Sequence, residues 1–160
     1  MTFEDFIRIE TGFLNPQYDA YYSRHHFPFL RVNKKGHDVE IRRDGELKKV
    51  EEKTRLESYS DILVEEIQDT KSGSIGWLYY CDADYLIYGF AYSYSPYRIH
   101  LAYLLPDFND FRTWYLSERE RFQEKESLKG FGRTIFRTVP LRELRELKMA
   151  KVLWSEDSVA

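Results

Sequence analysis

Residues 36–55 read Gly36-His-Asp-Val-Glu-Ile-Arg-Arg-Asp-Gly-Glu-Leu-Lys-Lys-Val-Glu-Glu-Lys-Thr-Arg55, two β-strands folded on each other by a tight turn. Val39 to Arg42 alternates apolar and polar residues as a half-buried strand does, Asp44-Gly45 is a strong type I′ hairpin signal, and Leu47 to Thr54 returns as the second strand. Side chains on a strand alternate between faces, so Glu51 and Lys53 share one. Pairing across the hairpin brings Asp38, near the open end of the first strand, beside Glu51. Two carboxylates on a rigid sheet suit one or two Mg²⁺ ions, which take oxygen ligands and grip substrate phosphate. A lysine beside them can orient or help deprotonate an attacking water and offset charge developing on phosphorus.

Asp38 followed after a hairpin by Glu51-x-Lys53 resembles the PD-(D/E)xK nuclease superfamily. The next segments, Asp61-Ile-Leu-Val-Glu-Glu-Ile-Gln68, Gly76-Trp-Leu and Ala83-Asp-Tyr-Leu-Ile-Tyr88, resemble its small bacterial and phage members. Two departures stand out: His37 replaces the proline of the motif, and Glu52 takes a middle position where an apolar residue is commoner. The resemblance implies an α/β, restriction-endonuclease-like fold with a mixed central β-sheet flanked by helices. It implies metal binding by Asp38 and Glu51, with the main-chain carbonyl of Glu52 as a third ligand, and a catalytic Lys53. Mg²⁺ or Mn²⁺ is then the expected cofactor, nucleic acid (DNA first) the partner, and a homodimer a further expectation. Relatives often add an acid from the leading helix, for which Glu10 and Asp19 are both open. Glu65 follows three apolar residues, where a carboxylate is costly to bury without a cation or metal, and the resemblance puts an acid there too. The competing reading pairs Glu65 with Lys53 or Arg55 at a strand end.

Bulk composition narrows the classes. A chain of 160 residues with 42% hydrophobic content is long enough for one domain with its own core. The single cysteine, Cys81, makes neither an internal disulfide nor a thiolate metal site, which fits a reducing cytoplasm; the resemblance implies a bacterial or phage-infected one. No apolar run approaches the ~18 residues of a membrane span, and the acidic start Met-Thr-Phe-Glu-Asp is unlike a signal peptide. The net charge of −3 argues against coating nucleic acid through bulk electrostatics. Between Arg24 and Arg55, however, ten basic residues face six acids, which predicts a locally positive site with Lys35, Arg42 and Arg55 as nucleic-acid contacts. The bland alternative is that these cations decorate exposed strand edges.

Elsewhere the pattern predicts a helix from Thr2 to Glu10 ended by Gly12, and a second from Asn15-Pro16 that stops before Pro28. Adjacent His25 and His26 point apart on a helix and make a weak metal pair. A strand over 62–67 leads through a turn at 69–74 to a brief helix or turn over 76–82. A second hairpin joins Tyr85–Tyr94 to Arg98–Leu105, with Tyr88, Phe90, Tyr92 and Tyr94 as an aromatic stripe that suits either core packing or base stacking. Pro106-Asp107 caps a helix reaching Arg121, and the charged run 118–129 reads as helix end plus loop. Gly130-Phe-Gly-Arg133 reads as a turn, followed by a strand over 134–139, a helix over 141–149 and a disordered tail from about 155. Two further functional classes remain open: a nuclease-fold binding or assembly module without turnover, and a structural protein whose tyrosine face is its interface.

Overall fold

The computed structural model describes residues 1–129 and 132–156. The hairpin is its backbone. Strand β2 (His37–Arg43) pairs antiparallel with β3 (Glu46–Arg55), and the turn residues Asp44 and Gly45 both take positive φ (53° and 79°), the signature of a type I′ connection. These strands lie inside a six-stranded sheet ordered β1-β2-β3-β6-β7-β10, where β1 is Phe29–Lys34, β6 Tyr85–Ala91, β7 Ile99–Leu105 and β10 Lys151–Ser155. The β3–β6 pair is parallel and the other neighbours antiparallel, so the sheet is mixed. A second, antiparallel sheet is ordered β5-β4-β9-β8: β4 is Asp61–Asp69, β5 Ser74–Ile75, β8 Lys125–Lys129 and β9 Gly132–Pro140. The expected mixed α/β sheet with flanking helices is present, and the second sheet is an addition to it.

Each face of the large sheet has its own core. On one face Val39, Ile41, Val50 and Ile87 pack under Ile9, Leu14, Tyr18 and Tyr22 of the leading helices. On the other, Leu86, Tyr88 and Phe90 pack against Ile62 and Val64 of β4, Trp77 and Leu78 of α3 (Trp77–Tyr80), and Phe108, Phe111 and Tyr115 of α4 (Phe108–Glu118). Leu141 and Leu144 of α5 (Leu141–Glu146) close that side. Burial on both faces explains the near-continuous apolar run of β6. It also settles the aromatic stripe: Tyr88 and Phe90 are core, while Tyr92 and the exposed Tyr94 lie beyond the strand, which ends at Ala91.

The leading helix runs on where a break at Gly12 was expected. Helix α1 (Phe3–Ile9), capped by a reciprocal Thr2–Asp5 box, passes through a π-type turn at Glu10–Leu14 into α2 (Asn15–Arg24). Pro16 has no N–H to return to the preceding turn, and the wider turn absorbs that loss: the Asn15 N–H bonds to the Glu10 carbonyl. Four strands were not anticipated: β1, β5, β8 and β10. β1 and β10 are edge strands, and β8 occupies part of the charged run read as loop. Ser155 and Glu156 are ordered, Glu156 accepting from the Tyr92 hydroxyl at 2.6 Å, whereas the rest of the expected tail and residues 130–131 of the expected turn lie outside the described residues.

Candidate active site

β2 pairs with β3 only as far as Val39–Val50, so from Glu51 to Arg55 the β2 side of β3 is open. A cleft of about 670 Å³ lies along this opening. Its walls come from β3 (Glu52 to Arg55), β4 (Leu63, Glu65), α3 (Trp77, Tyr80) and the leading helix (Phe3, Phe6, Glu10). Two glycines make the closure sterically feasible. A Cβ on Gly36 (φ +110°) would sit 2.7 Å from Asp82 Oδ1, and one on Gly76 would sit 2.1 Å from the Glu65 carbonyl oxygen, so glycine lets α3 and its following loop press onto β2 and β4.

Lys53 contacts Glu51 directly, and the charge of Asp38 acts on both. Lys53 Nζ lies 2.7 Å from Glu51 Oε1, and Lys53 also stands 5.9 Å from the centroid of the Trp77 ring. Asp38 is pinned by the Glu52 N–H, which donates to its Oδ2 at 2.8 Å. A strand residue's N–H and C=O point to the same edge, so the Glu52 carbonyl is directed to the Asp38 side, past the last β2 pair. Glu51 is 3% exposed, and burial raises its pKa; the Lys53 ammonium opposes that shift and the Asp38 charge adds to it. For Lys53 burial disfavours the ammonium, yet Glu51, Tyr80 and Asp38 together outweigh it and hold the pKa above the ordinary lysine value. Lys53 is therefore a persistent cation, suited to orienting water and offsetting negative charge, and the expected help in deprotonation is not what this environment promotes.

Glu10, one of two open alternatives, lines the cleft. Burial raises its pKa, and it feels the charges of Asp38, Lys53 and Arg31. Phe3, Phe6 and Glu10 recur at helical spacing, so one face of the leading helix brings all three to the cleft. Asp19, the other alternative, points elsewhere and pairs with Arg31 at 2.7 Å. Arg31 also holds the Glu52 carboxylate at 2.8 Å, and the Tyr22 hydroxyl donates to the same carboxylate at 2.5 Å. The Glu52 side chain thus belongs to a buried network under the sheet, which explains a polar residue where an apolar one was expected. His37, 3% exposed, bonds Asp82 at 2.8 Å and Glu40 at 3.1 Å, a packed histidine and not a ligand of the cleft.

The remaining expectations divide. Glu65 is half-buried on the cleft wall and makes no ion pair with Lys53 or Arg55 among the described residues. The fully buried acid of β4 is its neighbour Glu66, placed at a bulge and paired with Arg137 (3.0 Å) and Arg119 (3.1 Å). Lys35 stands at the rim, its Nζ 5.1 Å from the Tyr80 ring centroid. Arg55 lines the cleft but is engaged by Asp61 at 2.8 Å and by the face of Tyr59 at 3.4 Å. Arg42, opposite Leu47 near the hairpin turn, lies outside the cleft.

The expected excess of positive charge is also absent there: Lys48 pairs with Glu46, Lys49 with Asp82 and Arg31 with Glu52. With the Glu52 carboxylate turned to Arg31 under the sheet, Glu10 and Glu65 balance Lys53 and Arg55 on the lining, and Asp38 and Glu51 beside Lys53 tip the site to acid. Tyr80 was not anticipated; its hydroxyl, raised in pKa by burial, senses Lys53, Glu51 and Glu65. Only its position in a four-residue helix after Gly76 hinted at it.

The donor set is hard oxygen throughout. Cys81 is buried, with its thiol pushed up to about 12 by burial, and offers no soft ligand. Two carboxylates with a carbonyl fit Mg²⁺ or Mn²⁺. Among the described residues no three His, Cys, Asp or Glu side chains form a ready cation cage. No described helix is long and apolar enough to cross a membrane. Comparison with family models, curated proteins and solved structures finds no match.

Proposed function

We propose that this protein hydrolyses phosphodiester bonds of nucleic acid, DNA in the first instance, with Mg²⁺ or Mn²⁺ held by Asp38, Glu51 and the main-chain carbonyl of Glu52. The observation carrying this reading is the Lys53 ammonium 2.7 Å from Glu51 in an open cleft, with Asp38 fixed by the neighbouring main-chain N–H. A divalent ion in that place supplies Lewis acidity toward a phosphoryl oxygen and cancels anionic charge. The chain's residues do the rest. The Glu52 N–H fixes one carboxylate, the Glu51–Lys53 contact fixes the other, and the ammonium is positioned to hold a water or meet the developing charge on phosphate. Because the walls carry more acid than base, a phosphate strand is repelled until a dication enters, so nucleic-acid binding is itself metal-dependent.

A second reading is favoured by the lack of a ready three-side-chain cage among the described residues: the same surface as a nucleic-acid-binding or assembly module without turnover. Purified protein is incubated with supercoiled plasmid in Mg²⁺, Mn²⁺ and EDTA. Metal-dependent nicking lost in Lys53→Ala supports hydrolysis. Salt-sensitive binding without nicking supports the second reading, and nicking that persists in the Lys53→Ala preparation overturns the first.

A further inference from the structure

The opposite face of the large sheet holds a smaller cavity of about 150 Å³, between the sheet and α2. Val50, Ile87 and Leu104 form its floor, and Tyr21 and Tyr22 its cover. Apolar cavities of about this volume accept a benzene ring. The mouth is cationic. Arg43 NH1 lies 3.4 Å from the Tyr85 hydroxyl, and its guanidinium carbon lies 6.0 Å from that ring's centroid, so Tyr85 steadies the guanidinium over the opening. The carboxylate nearest to it in the ion-pair geometry is Asp44, 4.0 Å away with a 94% exposed side chain, a weak competitor. The charge of Arg43 also reaches the Tyr21 hydroxyl on the cover. Lys151 lines the far end and makes no ion pair among the described residues. It sits on β10, four strands over from Arg43 on β2.

We propose that this cavity binds a small monocarboxylic acid with a flat apolar body of benzene size, its carboxylate forked by Arg43 and its ring on the Val50–Ile87–Leu104 floor. The planar guanidinium matches a carboxylate with two parallel hydrogen bonds, and Lys151 adds a favourable field without contact. An unfilled apolar space forfeits dispersion contacts on its lining, which the ring restores. This site is separate from the cleft and holds whether or not the protein cuts nucleic acid.

Benzoate is titrated into the full chain by calorimetry, with toluene and acetate as partial ligands, and the melting temperature is followed in parallel. Saturable benzoate binding with a raised melting temperature is expected, toluene and acetate binding more weakly. Arg43→Gln should weaken benzoate about ten-fold by removing a charged, two-pronged contact while leaving toluene unchanged. Leu104→Phe should fill the space and abolish binding; since it can also disturb the fold, its melting temperature without ligand is the control. No heat and no melting shift at millimolar benzoate, toluene binding as tightly as benzoate, or an unaffected Arg43→Gln affinity would each overturn the proposal.

Discussion

Replacing Arg31 with methionine isolates the buried charge that underlies β3. Arg31 donates to Glu52 at 2.8 and 3.2 Å and to Asp19 at 3.1 and 2.7 Å, while Tyr22 donates to Glu52 from the other side. Burial pushes the Glu52 pKa from the ordinary 4.5 up to about 7, against the pull of Arg31. The folded chain thus keeps a proton on Glu52 that the unfolded chain releases near 4.5. Stability from this group is full below that value and declines as pH rises toward 7. At pH 5 the carboxyl is neutral with or without Arg31, so Arg31→Met loses only hydrogen bonds and packing, about 2 kcal/mol. Above pH 7 the wild type can ionise Glu52 beside the guanidinium, but the variant cannot. Each pH unit then adds about 1.4 kcal/mol to the penalty. At pH 9 the total reaches about 5 kcal/mol, the upper end of what breaking a buried ion pair costs. Urea denaturation of wild type, Arg31→Met and Arg31→Met/Glu52→Gln at both pH values measures this. The double variant, with no carboxyl to ionise, should show a pH-independent penalty. Equal penalties for Arg31→Met at pH 5 and pH 9 would refute the reasoning.

Three other outcomes follow from the same geometry. Gly36→Ala forces a side chain into the left-handed region and against Asp82 Oδ1, so it should cost about 2–4 kcal/mol in chemical denaturation; a neutral effect would mean the loop can move away. Arg137→Met leaves Glu66 buried with only Arg119 beside it, for an expected loss of about 3–5 kcal/mol by urea melt, partly restored by adding Glu66→Gln. Because burial raises the Glu51 pKa, metal-dependent nicking should weaken on acidification from a higher pH than an ordinary carboxylate allows. A pH–rate profile at fixed Mn²⁺ checks this, and a flat profile down to the ordinary carboxylate range would remove Glu51 from the metal.

The parts of this molecule written into short stretches of sequence are the parts that could be read there. Asp44-Gly45 fixes a turn, the turn fixes a register, and the register places Asp38 on the face of Glu51 and Lys53. The N-cap at Asp107 and the glycine-led α3 are equally local. What stayed hidden depends on partners distant in the chain. Strand β8, Lys-Glu-Ser-Leu-Lys, has no apolar alternation and exists because β9 pairs with it. β10 is held by β7, some fifty residues earlier, as reflected in the Lys151–Leu104 pair. Glu65 and Glu66 are adjacent acids in one apolar run, and the alternation that buries Ile62 and Val64 also buries Glu66, where Arg137 of β9 meets it. Glu10 and Asp19 were indistinguishable until the packing of the leading helices placed one at the cleft and the other beside Arg31. The local surplus of lysine and arginine misled because it counted charges without their partners, carboxylates such as Asp19, Glu46, Glu51, Asp61 and Asp82 on the same strand or on neighbouring elements.

The most direct measurement is a Mn²⁺-soaked crystal with anomalous scattering data. One strong peak is expected within about 2.3 Å of a carboxylate oxygen of both Asp38 and Glu51 and of the Glu52 carbonyl oxygen, lost in Glu51→Gln. A cleft that stays empty of manganese at millimolar concentration, or a peak elsewhere that accompanies nicking, would contradict it.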